Sequence, residues 1–171
     1  MNRYHEDEQR PFEKMNKIID IAAAEIGYAE TPVNKTKYGE WFGLDGVAWC
    51  GIFVSWVYSM AGYALGNIGY AKGYAGCQTA YNHFKTSGEI VSKEDVRPGD
   101  IVLFDWGHDG DCDHTGIFVK DAGNGTFASI EGNTSFNNQS NGGEVMSRNR
   151  SYGSVKAFVH PKVLDAVNQA V

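Results

Sequence analysis

The chain has 171 residues, of which 42 % are hydrophobic and 13 % aromatic, and it carries a formal net charge of −6. This length predicts one domain with a substantial core, and the acidic charge argues against nucleic acid or an anionic membrane as the main partner. No apolar run is long enough for a transmembrane helix, and three cysteines are too few for a disulfide framework.

The N-terminal part of the chain predicts a flexible segment followed by a helix. Residues 1–11 are polar and charged and lack the hydrophobic core of a secretory signal. From Pro11, apolar residues recur at helical spacing, which predicts an amphipathic helix that ends near Gly27. The residues of this apolar stripe are Phe12, Met15, Ile18, Ile19, Ala22, Ala23 and Ile26.

Two further helices are predicted before the strands of the second half of the chain. Residues 28–48 predict a loop rich in aromatic residues and glycine. A helix is then predicted from Cys50, because apolar residues recur at helical spacing from Ile52 until Gly62, where a helix would stop. A short helix is predicted over residues 78–85.

The second half of the chain predicts a sheet. Arg97-Pro98-Gly99-Asp100 is a turn signal, and strands are predicted over residues 101–104, 115–119, 126–130, 144–146 and 154–159. Helices followed by antiparallel strands predict an α+β domain, here over residues 12–160. Residues 161–171 form a C-terminal tail with a weak helical pattern.

Cys50 is a candidate nucleophile because of its predicted place in the first turn of a helix. Unpaired backbone N–H groups and the helix dipole favour negative charge there, which lowers the pKa of a thiol. A buried, inert cysteine is the alternative for any single cysteine. A base in the right place decides between the two.

His114 is the candidate base because it opens an apolar strand, a position that holds a side chain rigidly. His5, His83 and His160 fit solvated or structural roles, and nothing in the polar loop around His108 fixes that side chain. A carboxylate beside His114 would fix its tautomer and direct the other ring nitrogen toward a nucleophile.

Glu131 is the candidate carboxylate. If residues 114–119 and 126–131 pair across a six-residue turn, His114 lies opposite Glu131, whereas a tight Asn124-Gly125 turn puts it opposite Ser135. In both registers, alternation keeps His114 on the same face as three polar side chains. These are Ser129, Glu131 and Asn133.

Other residues invite metal or disulfide interpretations. The acidic loop around Asp105, Asp109, Asp111 and Asp113 fails the EF-hand pattern and is best explained as solvated. A zinc site from Cys50, Cys112, His114 and Glu131 is conceivable but lacks the paired short spacing of structural zinc sites. If any two cysteines form a disulfide, Cys77 and Cys112 are the most plausible pair.

Aromatic residues flank the predicted site in sequence. Trp41, Phe42, Trp49 and Trp106 would line a groove for sugar or peptide, or alternatively form part of the core.

Four blocks of the chain, taken in order, resemble the CHAP domain, the cysteine, histidine-dependent amidohydrolase/peptidase of peptidoglycan hydrolases. Residues 36–43 (Thr36-Lys37-Tyr38-Gly39-Glu40-Trp41-Phe42-Gly43) also resemble the CHAP modules of phage and Gram-positive cell-wall lysins. The resemblance covers residues 12–160, and Cys112, just before Asp113-His114, is a mild departure. The four blocks are Trp49-Cys50-Gly51-Ile52-Phe53-Val54-Ser55-Trp56, Arg97-Pro98-Gly99-Asp100-Ile101-Val102-Leu103-Phe104, Asp113-His114-Thr115-Gly116-Ile117-Phe118-Val119 and Glu131-Gly132-Asn133-Thr134.

The resemblance implies a papain-like fold with N-terminal helices packed on an antiparallel sheet. It implies that Cys50 is the nucleophile, His114 the general base and later acid, and Glu131 the residue that orients His114. Asn133 matches a further site position. Tyr38 is a candidate for a second oxyanion donor, beside the Cys50 backbone N–H. Tyr38, Trp41, Trp49 and Trp106 are the candidate substrate-binding residues.

The resemblance also implies a biological setting. The implied reaction is hydrolysis of an amide in the peptide part of peptidoglycan, by an amidase or an endopeptidase, in phage-mediated lysis or wall penetration. It requires no cofactor, although calcium is allowed, and we expect a monomer. Without a secretion signal, the protein is expected to be cytoplasmic until lysis, or virion-associated. A zinc-dependent hydrolase, a non-catalytic virion or wall-binding module, and intracellular peptide processing remain as alternatives.

Overall fold

The computed structural model describes residues 16–165, which form an α+β fold. The helices are α1 (residues 16–24), α2 (Lys37–Phe42), α3 (Cys50–Met60) and α4 (Cys77–Ser87). The strands are β1 (Ile90–Val91), β2 (Ile101–Phe104), β3 (His114–Gly123), β4 (Thr126–Thr134), β5 (Glu144–Ser151) and β6 (Val155–Val159). The predicted start of the first helix, with Phe12 and Met15, lies outside the described residues, as do residues 1–11 and most of the C-terminal tail.

The six strands form one antiparallel sheet in the order β1-β6-β2-β3-β4-β5. The helices come before the strands in the chain, so the predicted α+β class and the papain-like arrangement of N-terminal helices on an antiparallel sheet are confirmed. β6, the last strand of the described residues, lies between β2 and the short edge strand β1.

Hydrophobic side chains cover both faces of the sheet. The larger core joins α3 to one face, and Ile52, Phe53 and Val57 of α3 have no exposed surface. The smaller core, on the other face, is mainly aromatic. It contains Val102, Phe104, Phe118, Phe127 and Phe158.

Gly132 lets β4 approach the start of α3 closely. A Cβ atom at this position would lie 2.7 Å from both Phe53 and Trp49 side-chain atoms, inside normal contact distance. The first turn of α3 therefore packs directly on the strand that carries Glu131.

The register of β3 against β4 differs from both predicted registers. The strands do turn tightly at Asn124-Gly125, but two β-bulges follow, in which Val119 and Ala122 of β3 have no partner opposite. Ile117 therefore pairs with Ile130, and continuing this register places His114 opposite Asn133. Each bulge shifts the alternation of side chains by one residue, so the two shifts cancel. His114 and Glu131 therefore lie on the same face of the sheet, as predicted.

The predicted loop over residues 28–48 is wrong in one part, because it contains α2. Thr36 caps this short helix by accepting a hydrogen bond from the Gly39 N–H at 2.9 Å. Gly43 ends it in the left-handed conformation, at φ 88°. Such a short helix carries no recognisable periodicity, so only its caps mark it in the sequence.

Within residues 16–165, every helix is too short or too polar to cross a membrane.

Candidate active site

Cys50 is the first residue of α3, as predicted. The residue before it, Trp49, provides no side-chain cap for the helix. The N–H groups of the first turn therefore face the cysteine without a competing side-chain acceptor, and the helix dipole adds to their effect. Cys50 keeps only 4 % of its surface exposed.

His114 opens β3 and is completely buried. Its Nε2 atom hydrogen-bonds Glu131 Oε2 at 3.1 Å, whereas its Nδ1 atom makes no hydrogen bond with any residue that the structure describes. The rings of Phe104 and Trp106 stack on the imidazole at 6.0 and 5.3 Å between centroids. One ring nitrogen is thus fixed and the other is left for a reaction partner.

Besides His114, two side chains hold Glu131. Ser129 donates a hydrogen bond to Oε1 at 2.6 Å, and Arg150 donates from Nε to Oε1 at 2.8 Å and from Nη2 to Oε2 at 2.5 Å. Gly116 makes room for this carboxylate, because a Cβ atom there would lie 2.6 Å from Glu131 Cγ. The side chain that orients His114 therefore has almost no freedom of its own.

These contacts favour the charged forms of all three groups. The Cys77 thiol lowers the pKa of Cys50 well below the usual value, with help from His114, although burial opposes this. Burial would lower the pKa of His114, but the Cys50 thiolate and Glu131 outweigh it and raise that pKa to about 9. Burial would raise the pKa of Glu131, but Arg150 and His114 hold it at about 2. Together these shifts favour a Cys50 thiolate beside a His114 imidazolium.

The cysteine nearest to Cys50 is Cys77, the first residue of α4. The two sulfur atoms are 3.6 Å apart, and all three cysteines are free. The predicted pairing of Cys77 with Cys112 is therefore wrong, because α4 begins beside the start of α3 and brings Cys77 to Cys50 instead. Cys112 is half-buried, and burial raises its pKa to about 11.

Asn133 lies in β4 close to Glu131, but its side chain forms hydrogen bonds with the loop that follows β4. It donates to Asn141 Oδ1 at 3.0 Å and accepts from the Gly143 N–H at 3.2 Å. The backbone of Asn133 is left-handed, at φ 58°. In this structure Asn133 organises the loop that joins β4 to β5.

Of the four aromatic residues assigned to substrate binding, Trp106 is the one whose ring stacks on His114 in the described part of the chain. Trp106 is half-buried, stacks on His114 and lies 5.0 Å from the Arg150 guanidinium. Trp41 is half-buried beneath the Lys72 amine. It therefore offers a partly exposed ring away from the imidazole.

Tyr38 and Trp49 have no exposed surface. The Tyr38 hydroxyl donates to Glu25 Oε2 at 2.5 Å, and the Trp49 indole donates to Glu30 Oε2 at 2.7 Å. Their rings stack on each other at 5.4 Å. As placed here, both pack the base of α3, and the Tyr38 hydroxyl is already engaged and does not serve as an oxyanion donor.

The described residues include no cluster of three or more His, Cys, Asp or Glu side chains arranged to hold a metal ion. In the acidic loop, the carboxylates cap the loop's own backbone instead of converging. Asp105 accepts from the Gly110 N–H, Asp109 from the Asp111 N–H, and Asp113 from the Trp106 and Gly107 N–H groups. Neither this loop nor the set of Cys50, Cys112, His114 and Glu131 forms such a cluster among the described residues.

Sequence reasoning missed two residues of the site, Arg150 and Cys77. Arg150 lies in a polar run that resembles a solvated segment, and only the pairing of β5 with β4 reveals its partner. Cys77 begins α4 one residue before the predicted helix start, directly after the extended Gly76, and its contact with Cys50 depends on how two helices far apart in the chain pack together.

Comparisons with known proteins agree with this geometry. The family model of the CHAP domain matches residues 42–133, a stretch that includes Cys50, His114 and Glu131. The solved structure of the wild-type endolysin LysIME-EF1 is similar, with a TM-score of 0.56 and 14 % identity over 86 % of this chain and 63 % of that chain. The chain thus spans less than two thirds of that endolysin.

A second similar structure is the peptidoglycan hydrolase RipB from Mycobacterium tuberculosis. Its TM-score is 0.53, with 15 % identity over 94 % of this chain and 68 % of that chain. At such low identity both likenesses concern the fold alone. No curated protein sequence matches the chain.

Proposed function

The chain belongs to the CHAP domain family, and from that premise we propose that it is a peptidoglycan hydrolase that cleaves an amide bond in the peptide part of the cell wall. The observation that carries the proposal is His114, held by Glu131 at one nitrogen and unpartnered at the other, beside a thiol with a lowered pKa. The likeness to an endolysin and to a peptidoglycan hydrolase supports the choice of substrate.

The first chemical step is attack of the Cys50 thiolate on the carbonyl carbon of the scissile amide. The carbonyl oxygen gains the negative charge, and the Cys50 backbone N–H at the start of α3 stabilises it. The helix dipole acts in the same direction. No metal ion is needed, because the thiolate is already the reactive form.

His114 moves the protons. As an imidazolium it donates a proton to the leaving amine, which leaves a thioester on Cys50 and a neutral imidazole. The imidazole then takes a proton from water, whose oxygen attacks the thioester and releases the acid. Glu131 keeps the ring in place through both steps and stabilises the charged form of His114.

Two classes of bond fit this chemistry. One is the amide between muramic acid and alanine, and the other is a peptide bond of the stem peptide or cross-bridge. We propose phage-mediated lysis or wall penetration as the setting. Mass spectrometry of fragments released from peptidoglycans of defined structure assigns the bond, because an amidase frees intact stem peptides and an endopeptidase divides them.

The nucleophile is tested by a matched pair of cysteine variants. Cys50→Ala should reduce the release of wall fragments from purified peptidoglycan by at least about 10³-fold, because the attacking atom is lost. Cys112→Ala, which removes a half-buried thiol outside the proposed chemistry, should act like the parent. Thiol alkylation should abolish the reaction, and a chelator should leave it unchanged.

Two outcomes would overturn the proposal. Retained hydrolysis by a folded Cys50→Ala variant would remove this thiol from the chemistry. Loss of hydrolysis in chelator, restored by zinc, would favour the metal-dependent alternative instead.

A further inference from the structure

The starts of α3 and α4 bring two cysteines together in the core. Cys50 and Cys77 are each the first residue of their helix, and their sulfur atoms are 3.6 Å apart. Both are buried, with 4 % and 7 % of their surfaces exposed. The Cys77 thiol lowers the pKa of Cys50, but it forms and breaks no bond in the hydrolysis described above.

Close backbone packing fixes the approach of the two cysteines. A Cβ atom on Gly51 would lie 2.6 Å from the Ala75 carbonyl oxygen, so the chain that leads into α4 rests directly on the first turn of α3. Ser55 of α3 also accepts a hydrogen bond from the Tyr74 N–H at 3.0 Å. The packed backbone therefore holds the starts of α3 and α4, and with them the two cysteines, close together.

The two thiols have complementary chemical states. Cys50 is the thiolate of the pair, whereas the neighbouring thiolate and burial raise the pKa of Cys77 and keep it protonated. An oxidant that accepts an attacking thiolate would therefore react at Cys50, and a thiol would lie within reach of the oxidised sulfur.

We propose that Cys50 and Cys77 form a reversible oxidation site, in which a peroxide oxidises Cys50 and Cys77 resolves it as a disulfide. The expected loss of hydrolysis rests on the proposed function, whereas the formation of the disulfide does not. The oxidised protein has no free nucleophile, and a dithiol reductant restores it.

The reaction balances in two steps. The Cys50 thiolate attacks one peroxide oxygen, the O–O bond breaks, and Cys50 becomes a sulfenic acid. The other oxygen leaves as hydroxide or alkoxide and takes a proton from the solvent, which gives water or an alcohol. The Cys77 sulfur then attacks the Cys50 sulfur, and the S–O bond breaks. The sulfenic oxygen leaves as water with the Cys77 proton. The peroxide is reduced by two electrons, which the two thiols supply.

The required movement is small. A disulfide joins two sulfur atoms at about 2.05 Å, so the pair at 3.6 Å must close by about 1.5 Å. Without Cys77, the sulfenic acid would have no adjacent thiol and would proceed to irreversible sulfinic acid. Cys77 would thus protect the nucleophile as well as switch it off.

Treatment of the full chain with limited hydrogen peroxide tests the proposal, with intact mass, peptide mapping and hydrolysis as readouts. The parent protein should lose the mass of two hydrogen atoms, yield a linked peptide containing Cys50 and Cys77, and lose hydrolysis. Dithiothreitol should reverse all three changes. Cys112→Ser should behave the same way.

Cys77→Ser should instead accumulate sulfinic acid on Cys50, a gain of two oxygen atoms, and dithiothreitol should not restore the activity it loses. A linked peptide with Cys112 in place of Cys50 or Cys77 would overturn the proposal. So would parent protein that accumulates sulfinic acid on Cys50 as fast as Cys77→Ser does. If the linked peptide forms but the reduced protein hydrolyses no peptidoglycan, the proposed function fails while the oxidation site stands.

Discussion

Arg150 is the residue that keeps the Glu131 carboxylate of the site ionised. It is only 5 % exposed and binds both carboxylate oxygens of Glu131. A buried carboxylate without such a partner would take up a proton to avoid the cost of burying its charge. Arg150 therefore acts on His114 through Glu131, as a positioning residue that need not touch the substrate.

Replacing Arg150 should change the pH dependence of hydrolysis. The imidazolium form of His114 exists below its pKa of about 9, so we expect the activity of the parent protein to fall as pH rises through about 9. In Arg150→Met, Glu131 protonates more readily and stabilises the imidazolium less. The pKa of His114 should drop, and the basic limb of the pH–rate profile should move to lower pH.

Arg148→Met is the matched control for this experiment. Arg148 is on the same strand and carries the same charge, but its guanidinium lies over the Phe136 ring and acts on Glu131 through charge, without the hydrogen bonds that Arg150 donates. It should keep the basic limb of the parent protein. If Arg150→Met only lowers the rate and leaves the limb in place, Arg150 has a merely structural role.

Single residues differ in how far the sequence reveals them. Cys50 and His114 stand at the starts of strongly patterned elements, so local signals were enough to place both as predicted. The shared face of His114 and Glu131 followed from strand alternation. Arg150 was out of reach, because the predicted strand ended at Met146 and a buried ion pair between strands leaves no local pattern.

Gly132 allows the helix α3 and the strand β4 to pack closely against each other. The first turn of α3 carries the nucleophile and β4 carries Glu131, and the contact between them has no space for a side chain at this position. Displacing the strand from the helix would change the position of Glu131 relative to Cys50.

Gly132→Ala should therefore lower both stability and activity. Overpacking of this kind costs about 1–3 kcal/mol, and we expect a loss of this size in the free energy of unfolding measured with urea. Gly153→Ala is the control, since this exposed glycine has ordinary space, with its nearest neighbour at 3.4 Å. Equal stability of the two variants would contradict the packing argument.

The pairing of β3 with β4 could be predicted only in part from sequence patterns. The tight turn at Asn124-Gly125 has a clear sequence signal, and the structure contains it. The bulges at Val119 and Ala122 have none, since neither residue is a glycine or otherwise unusual for a strand. They arise from the fit of two long, twisted strands, and for that reason the predicted register was wrong while the predicted face was correct.

The overall arrangement of helices and strands was only partly predictable from the sequence. The division into helices followed by strands was visible in the sequence and fixes the fold class. The placement of β6 between β1 and β2 was not, because it depends on contacts between residues far apart in the chain.

Buried charge also links the site to the stability of the whole molecule. The pKa of Glu131 is lowered from 4.5 to about 2, so its ionised form stabilises the folded state above pH 4.5. That contribution, about 3 kcal/mol by linkage, is lost as pH falls from 4.5 through about 2.

Acid unfolding of Glu131→Gln tests this linkage. The variant should be less stable than the parent protein at neutral pH, and the difference in unfolding free energy should shrink as the solution is acidified through this range. Urea titrations at several pH values measure it. A difference that stays constant with pH would mean that Glu131 is not ionised in the folded protein.

The central claim is that Cys50 is a thiolate paired with His114. Ultraviolet thiolate absorbance measures this directly and requires no substrate, with Cys50→Ser as the reference. We expect one thiolate per chain at neutral pH, absent from Cys50→Ser and diminished in His114→Ala. An absorbance that appears only near the ordinary thiol pKa, and equally in His114→Ala, would contradict it.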